Sequence, residues 1–310
     1  MIGAACLIAS TDQLSTAGQA PTNPANAASK TWTPPRTPDG QPDIQGMWTN
    51  FDNTPFEAPG PDDATRLAAL RKWFPPNDQT GPGALWGTDG PASASRNARR
   101  KAMVVEPANG RVPVRPEAEA KKDAALTHLT DSWEYFTPWE RCITRGVPGA
   151  MMPHILGNSY EIVQAPGFVT IRYELVHDVR VIPLDRRPHL PQTIRQEMGD
   201  ARGYWDGSTL VVETTNFKER STYRNANAAT LRLVEYFTPT SAGTMDWSVT
   251  VDDPATWTKP WTFSMPLTRN AREPVLEFAC HEGNYAVPHI LSGARATDAA
   301  SRVDSRPKQE

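Results

Sequence analysis

The sequence predicts a mainly β protein: a single antiparallel meander barrel of lipocalin-like type, preceded by an irregular N-terminal region that carries two short helices. Nine strand-like segments follow one another at short spacing after Trp139. They alternate apolar and polar residues, as half-buried strands do. No long helical pattern separates them, which excludes parallel βαβ units. Such a meander closes into a barrel or folds into a sandwich, and we favour the barrel because the connections are short.

The composition excludes several classes of partner. The chain has 310 residues and a net charge of -3, with basic residues scattered among acidic ones. This is typical neither of a nucleic-acid interface nor of a surface for anionic membranes, so we expect neither partner. No run after the N-terminus is long and apolar enough to span a bilayer. The 30 prolines and 10 tryptophans favour extended segments over helical bundles.

The N-terminus has the pattern of an export signal. Residues 1–10 are apolar and small, residues 15–20 are small and polar, and Gly18-Gln19-Ala20 has the small-x-small form of a cleavage site, although a charged n-region is missing. A merely floppy apolar terminus is the alternative. We predict a truncated signal peptide and a periplasmic or secreted protein. Residues 21–41 are polar and Pro-rich, which predicts a disordered tether.

Residues 42–138 are predicted to form an irregular strap, loops and two helices packed on the barrel. Pro42 to Trp48 is expected to lie on the surface as an ordered strap. Asp62 to Phe74 is predicted helical, with Pro75-Pro76 as its stop, and Pro116 opens a second helix through about Leu129. Asn109-Gly110 predicts a short hairpin between residues 103–105 and 112–114.

Residues 139–295 are predicted to form the barrel, and residues 296–310 a disordered tail. Asp206-Gly207 is a strong hairpin signal between two of the strands. The predicted strands are Tyr160–Gln164, Phe168–Leu175, Val179–Leu184, Gly203–Trp205, Leu210–Thr215, Leu231–Phe237, Met245–Val251, Trp257–Met265 and Leu276–Cys280.

Two cysteines, Cys142 and Cys280, remain once a signal peptide carrying Cys6 is removed. A pair in an oxidising compartment is most simply a disulfide. The competing interpretation, a cysteine nucleophile, needs a reduced thiol, which export disfavours.

Two adjacent imidazole and carboxylate pairs are the candidate catalytic residues. His177-Asp178 lies in the predicted bend between two strands, and His281-Glu282 follows Cys280. A disulfide would bring Arg141 near the second pair, where it would stabilise a developing anion. The structural alternatives are a turn aspartate bonding backbone amides, a histidine covering a strand edge, and a salt bridge bracing a strand end.

Apolar side chains of the predicted strands are the candidate ligand-binding residues. On the inner face of a barrel they would line a lumen suited to a flat organic molecule, whereas in a sandwich they are simply core. The set comprises Tyr173, Met245, Trp247, Trp261, Phe263 and Met265.

The sequence indicates no metal site and no cofactor. The six histidines form no HxH or HxxxH pair, and no Gly-rich phosphate loop or GxSxG context is present. A series of arginines lies among carboxylates, which predicts an internal ion-pair network more than an anion grip; it comprises Arg180, Arg186, Arg187, Arg195 and Arg202.

Several motifs together resemble a large, uncharacterised family of exported bacterial proteins. They are PDIQGMW (42–48), ERCITRGVPG (140–149), HDVRVIPLD (177–185) with RPHLP (187–191), GDARGYWDGSTLVVETTNF (199–217), TVDDPATWTKPW (250–261) and ACHEGNY (279–285). The resemblance implies export and a single domain, and it supplies no catalytic residue.

Three functions follow as hypotheses. The first is an exported barrel that binds a small apolar or aromatic molecule in its lumen. The second is a hydrolase or lyase with a His/carboxylate pair at the barrel mouth. The third is carbohydrate binding on exposed tryptophans such as Trp86, Trp133 and Trp139.

Overall fold

A nearly closed antiparallel β-barrel of nine strands dominates the computed structural model. The structure describes residues 32–50, 52, 54–61, 63, 100–154, 158–270, 272 and 274–304. The barrel strands are β1 (Gly46–Thr49), β3 (Ser159–Ala165), β4 (Phe168–Tyr173), β5 (Val179–Pro183), β6 (Asp200–Asp206), β7 (Thr209–Thr215), β8 (Arg232–Ser241), β9 (Thr244–Asp252) and β10 (Trp261–Arg269). A short strand, β2 (Val104–Glu106), pairs with β10 off the main path, and two helices are α1 (Pro116–Thr127) and α2 (Ala286–Asp304).

The strand order around the barrel is β5-β4-β3-β1-β10-β9-β8-β7-β6. All eight pairings along this path are antiparallel. An even number of reversals leaves the two end strands, β5 and β6, pointing the same way. Parallel neighbours need a longer connection than a hairpin, and residues 184–199 supply it. We call the junction of β5 and β6 the seam; these two strands are the ends of the sheet and are not paired with each other by backbone hydrogen bonds.

The barrel prediction is confirmed, and eight of the nine predicted strands are present. The predicted neighbours β9 and β10 pair in register, with Trp247 opposite Met265 and Val249 opposite Phe263. Their alternating apolar side chains point inward and are fully buried. The Asp206-Gly207 turn joins β6 to β7 as predicted.

The strap Pro42–Trp48 differs from its prediction because its second half is a barrel strand. β1 lies between β3 and β10, with Trp48 opposite Tyr160 on one side and Arg269 on the other. The barrel is therefore not a pure sequential meander. Hydrogen bonds order the chain just before it, for example from the amide of Asp43 to the carbonyl of Pro35, so the predicted tether does not extend over residues 32–41.

Two further predictions were wrong. Residues 103–105 and 112–114 do not pair with each other: β2 pairs with β10, and Val114 forms a bridge with Trp257. Leu276–Cys280 is not a strand, because a disulfide and not a ladder attaches it to the body.

The C-terminal region also differs from its prediction. Residues 286–304 form α2, where the sequence predicted the end of the barrel and a disordered tail. Arg295 on this helix donates to the carbonyls of Thr130 and Asp131. The second predicted helix, α1, is confirmed, whereas the predicted helix Asp62–Phe74 lies outside the described residues apart from Asp63. Among the described residues, no helix is long and apolar enough to cross a membrane.

Candidate functional site

One end of the barrel gathers most of the residues that the sequence singled out. β4 ends there at Tyr173 and β5 begins there at Val179. We call this end the barrel mouth; it comprises the β4–β5 bend (174–178), the segment 139–149, residues 221–223 and residues 278–284. A disulfide between Cys142 and Cys280 ties two of these segments, with their Cα atoms 5.7 Å apart. That separation suits a disulfide.

The bend itself holds His177 and Asp178 in separate roles. Val176 and His177 both have positive φ, at 59° and 56°, a conformation that costs free energy in a β-branched residue. His177 is exposed, and its Nε2 accepts a hydrogen bond of 3.3 Å from the amide of Phe278. Asp178 accepts from the hydroxyl of Thr144 at 2.6 Å. No hydrogen bond joins the two side chains to each other within the described chain.

Burial is the main influence on the carboxyl group of Asp178. It raises the pKa of this group above its usual value, although hydrogen bonds from the Thr144 hydroxyl and the Arg145 amide act in the opposite direction. Both hydrogen bonds connect the bend to the segment 139–149. The arrangement is that of a turn aspartate and an edge-covering histidine, which was the structural alternative for this pair.

The remaining candidate catalytic residues lie at the surface of the mouth. The guanidinium of Arg141 lies over the ring of Trp133, 4.6 Å from its centroid. His281 and Glu282 are exposed, and their side chains make no hydrogen bond or ion pair to a described residue. The disulfide thus brings the two backbone segments together. Among the described residues, the side chains of Arg141, His281 and Glu282 form no hydrogen bond or ion pair with one another.

Arg145 is the feature of the mouth that sequence reasoning missed. Its guanidinium carbon lies 5.3 Å from the centroid of the Trp139 ring. Its Nη1 is buried and has no hydrogen-bond partner, and the side chain forms no ion pair with any described residue. Burial lowers the pKa of Arg145 to about 10, and Tyr223 alone counteracts this. The group stays charged at neutral pH.

An aromatic group that includes Trp139 lies beside this arginine. Trp139 lies 5.9 Å from Phe278 and 5.5 Å from His154, centroid to centroid. Tyr223 stacks on Trp261 at 6.3 Å, at the top of the barrel core. The local sequence signal was present in the arginine of ERCITRGVPG, but nothing in that motif shows that the side chain lacks a counter-ion.

The six candidate ligand-binding residues lie inside the barrel and pack as core. Each is 0 to 1% exposed, and a side chain that lined an open lumen would retain exposed surface. The rings contact one another: Trp247 meets Phe263 edge-on at 5.6 Å, and Trp261 lies 5.9 Å from Phe263.

A buried ion pair crosses this apolar interior. Arg180 Nη2 lies 2.6 Å from Glu235 Oε2, and the two side chains are 3% and 0% exposed. Thr214 accepts from Arg180 at 2.5 Å, and the indole of Trp247 donates to Glu235 at 3.3 Å. Burial also raises the pKa of the neighbouring Tyr173 to about 12.

A second charged cluster lies outside the core, near the seam. His189 Nδ1 is 2.9 Å from Asp200, and its Nε2 is 3.3 Å from Glu213. The hydrogen bond to Glu213 and the interaction with Asp200 raise the pKa of His189. This clamp fixes the 187–191 loop to β6 and β7. Within the described chain, no group of three or more His, Cys, Asp or Glu side chains has the arrangement of a metal site.

Comparison with known proteins adds little to the geometry. No family model matches the chain, and no curated protein matches it. Among solved structures, a secretary abundant heat soluble (SAHS) protein from Ramazzottius varieornatus is similar at 11% identity and a TM-score of 0.25. The match covers 43% of this chain and 87% of that one. A likeness of this level carries no argument about function.

Proposed function

We propose that this β-barrel protein binds a small aromatic carboxylate at its mouth, with Arg145 as the counter-ion. The supporting observation is a mostly buried guanidinium whose Nη1 has no partner. A buried charge is costly unless it is paired and hydrogen-bonded. An anionic group of a ligand would supply both the pair and the hydrogen bonds.

The surroundings of Arg145 favour an aromatic body for this ligand. Trp139, Phe278 and His154 form a connected aromatic group beside the guanidinium. Flat rings pack against such groups in offset or edge-on arrangements. Arginine presents a planar fork that matches a carboxylate in two parallel hydrogen bonds. A carboxylate on a flat ring therefore satisfies both halves of the site.

The mouth is a better location than the lumen that the sequence predicted. The interior side chains fill the barrel, so a ligand there would have to displace Trp247 or Phe263 from the core. At the mouth, in contrast, Arg145 and Trp139 retain some exposed surface. The predicted small-molecule ligand is kept, and its site is moved.

Binding is favoured over catalysis because the histidine of the bend is already engaged. The Nε2 lone pair of His177 accepts from a backbone amide, so this nitrogen is not free to take a proton from a substrate. Asp178 holds the Thr144 hydroxyl and the Arg145 amide. Asp178 thus positions the segment that carries Arg145, and His177 positions the segment that carries Phe278.

Export to the periplasm or the medium is part of the proposal. It rests on the N-terminal sequence pattern, on the resemblance to exported bacterial proteins and on the Cys142–Cys280 bond, because disulfides persist mainly in oxidising compartments. Fractionation of cells that express the full chain tests it: the protein should leave the cytoplasm.

Isothermal titration calorimetry with 1-naphthoate and with its neutral amide tests the ligand class. The carboxylate should bind and the amide should bind more weakly. Arg145→Gln should weaken naphthoate binding about 10- to 100-fold, as expected for loss of a charged hydrogen bond worth about 1.5–3 kcal/mol. Arg145→Lys should retain part of the affinity.

The matched control is Arg141→Gln. Arg141 belongs to the same segment and also lies over a tryptophan ring, but it is not the buried group. Its loss should leave naphthoate affinity unchanged. Equal affinity for acid and amide, or an Arg145→Gln variant that binds naphthoate as the wild type does, would contradict the proposal.

A further inference from the structure

A cleft of about 290 Å³ lies in the seam, at the end of the barrel opposite the mouth. It lies where β4 begins and β5 ends, because Gly167 and Leu184 both line it. Gly203 of β6 contacts β5 so closely that a Cβ there would lie 2.7 Å from Ile182. The strands form no recorded ladder with each other.

The walls of the cleft combine an aromatic surface with mixed polar groups. Trp205 and Tyr204 of β6 supply the rings, and Arg186 lies over the Tyr204 ring at 5.5 Å. The indole Nε1 of Trp205 is buried and has no hydrogen-bond acceptor in the part of the chain that the structure describes. A buried N–H without a partner costs free energy, which a ligand oxygen would recover.

The charges of the cleft balance. Asp39 and Arg186 line it together with Gln41. Asp39 accepts a hydrogen bond from the Thr37 hydroxyl, and neither Asp39 nor Arg186 forms an ion pair with a described residue. The cleft thus offers a negatively charged hydrogen-bond acceptor, a positively charged hydrogen-bond donor and a side-chain amide. This combination suits a neutral ligand with several hydroxyl groups. The mouth differs from the cleft in this respect, because the buried Arg145 there has no ion-pair partner among the described residues.

We infer that the seam cleft binds a single sugar ring, either a monosaccharide or the terminal residue of a glycan. A pyranose has an apolar C–H face that stacks on an aromatic ring and a rim of hydroxyls that act as both donors and acceptors. Asp39 and Gln41 accept from these hydroxyls, and Arg186 and the indole of Trp205 donate to them. The cleft volume lies at the lower end of the range for small-molecule sites, which limits the ligand to about one ring.

Saturation-transfer NMR on the full chain, with a panel of common hexoses, pentoses and N-acetylhexosamines, tests this inference. At least one sugar should give a saturable signal in the millimolar range. Asp39→Asn should weaken that sugar about tenfold or more, because a hydrogen bond to a charged group is lost. Asp206→Asn, at the exposed last residue of β6, should leave the affinity unchanged.

A pair of glycine variants supplies a second test that avoids the core. Gly167 lines the cleft and Gly207 does not; both have positive φ, and a Cβ at either meets nothing within 4 Å. Asparagine tolerates this conformation, so both variants should fold. Gly167→Asn should reduce sugar binding and Gly207→Asn should not.

Two results would overturn the inference. One is the absence of saturable binding by any sugar of the panel to folded wild-type protein. The other is a sugar that binds the Asp39→Asn and Gly167→Asn variants as tightly as the wild type. Arg145→Gln, at the other end of the barrel, should not affect sugar binding, so failure of this inference and failure of the proposed function are distinguishable.

Discussion

The ion pair inside the barrel makes a quantitative prediction. Arg180 and Glu235 are both inaccessible, so removal of one leaves the other as a buried charge without its partner. In Arg180→Met, Glu235 keeps one hydrogen-bond donor among the described residues, the indole Nε1 of Trp247 at 3.3 Å. Breaking a buried pair from one side costs about 3–5 kcal/mol. We expect a loss of this size in the free energy of unfolding.

The double variant Arg180→Met/Glu235→Leu should behave differently. Replacing both members of a buried pair by apolar residues of similar volume is often neutral or stabilising. The double variant should therefore be more stable than Arg180→Met alone, with a coupling energy of about 2 kcal/mol or more. Glu235→Leu alone should also lower the free energy of unfolding by several kcal/mol, because Arg180 then keeps Thr214 and Tyr173 as its only polar partners among the described residues.

Guanidinium denaturation of the oxidised protein, followed by tryptophan fluorescence and circular dichroism, measures all four members of the cycle. The midpoints and slopes give free energies of unfolding if the two probes coincide. Two outcomes would show that the pair is hydrated and not buried: single-variant losses in the free energy of unfolding that simply add in the double variant, or a loss of less than about 1 kcal/mol in Arg180→Met.

Three further predictions concern the core, the disulfide and the clamp at the seam. Trp247→Asp should cost more than about 4 kcal/mol, because it places an unpaired charge in the core; a soluble variant that unfolds cooperatively near the wild-type midpoint would contradict the burial of this face. Non-reducing mass spectrometry should find no alkylatable thiol on Cys142 or Cys280, and reduction should cost about 5 kcal/mol on the loop-entropy model for a separation of 138 residues; two free thiols in native protein would refute the bond. Because the folded state raises the pKa of His189, the stability that its charged form contributes is complete below about pH 6.5 and is lost as the pH rises through the folded value. His189→Gln should abolish this decrease, because the variant has no imidazole to titrate, and the ordinary pKa of a glutamate already lies well below this pH range, so Glu213 stays ionised with or without His189; an unchanged pH profile in the variant would show that the clamp contributes nothing.

The alternation of apolar and polar residues made the barrel strands predictable from the sequence, but it did not predict which strands pair. β9 and β10 show a clean two-residue period, so their faces and their adjacency followed from the pattern. β1 was missed because four residues are too few for a period, and only its position between β3 and β10 makes it a strand. Leu276–Cys280 showed the opposite failure, since an apolar run without a neighbouring strand edge does not form a ladder.

The candidate site was predictable in position more than in chemistry. Counting cysteines placed Cys280 against Cys142, and the bend at His177 does contact the same segment through Phe278. Arg145 belongs to the motif ERCITRGVPG, but the motif does not show its significance, which lies in the absence of a counter-ion among the described residues and therefore depends on packing. The seam cleft was not foreseen either, since its walls come from segments far apart in sequence.

The valines and the arginine of β5 show why the interior pair was hard to foresee. Val179 and Val181 point outward and are 52% and 53% exposed, whereas Arg180 between them points inward. Hydrophobic patterning alone would choose the opposite register, since a slip of one residue exchanges the two faces of a strand. Such a slip would leave Glu235 in the core without its cation, which costs about 3–5 kcal/mol. It would also remove Ile182 from the interior. Because Val179 and Val181 are already about half buried, their full burial would add only about half of the usual 1.5–3 kcal/mol each, or roughly 1.5–3 kcal/mol together, which is less than the loss. The ion pair therefore acts with Ile182 to fix the register of β5, and through it the position of the bend that leads into the mouth.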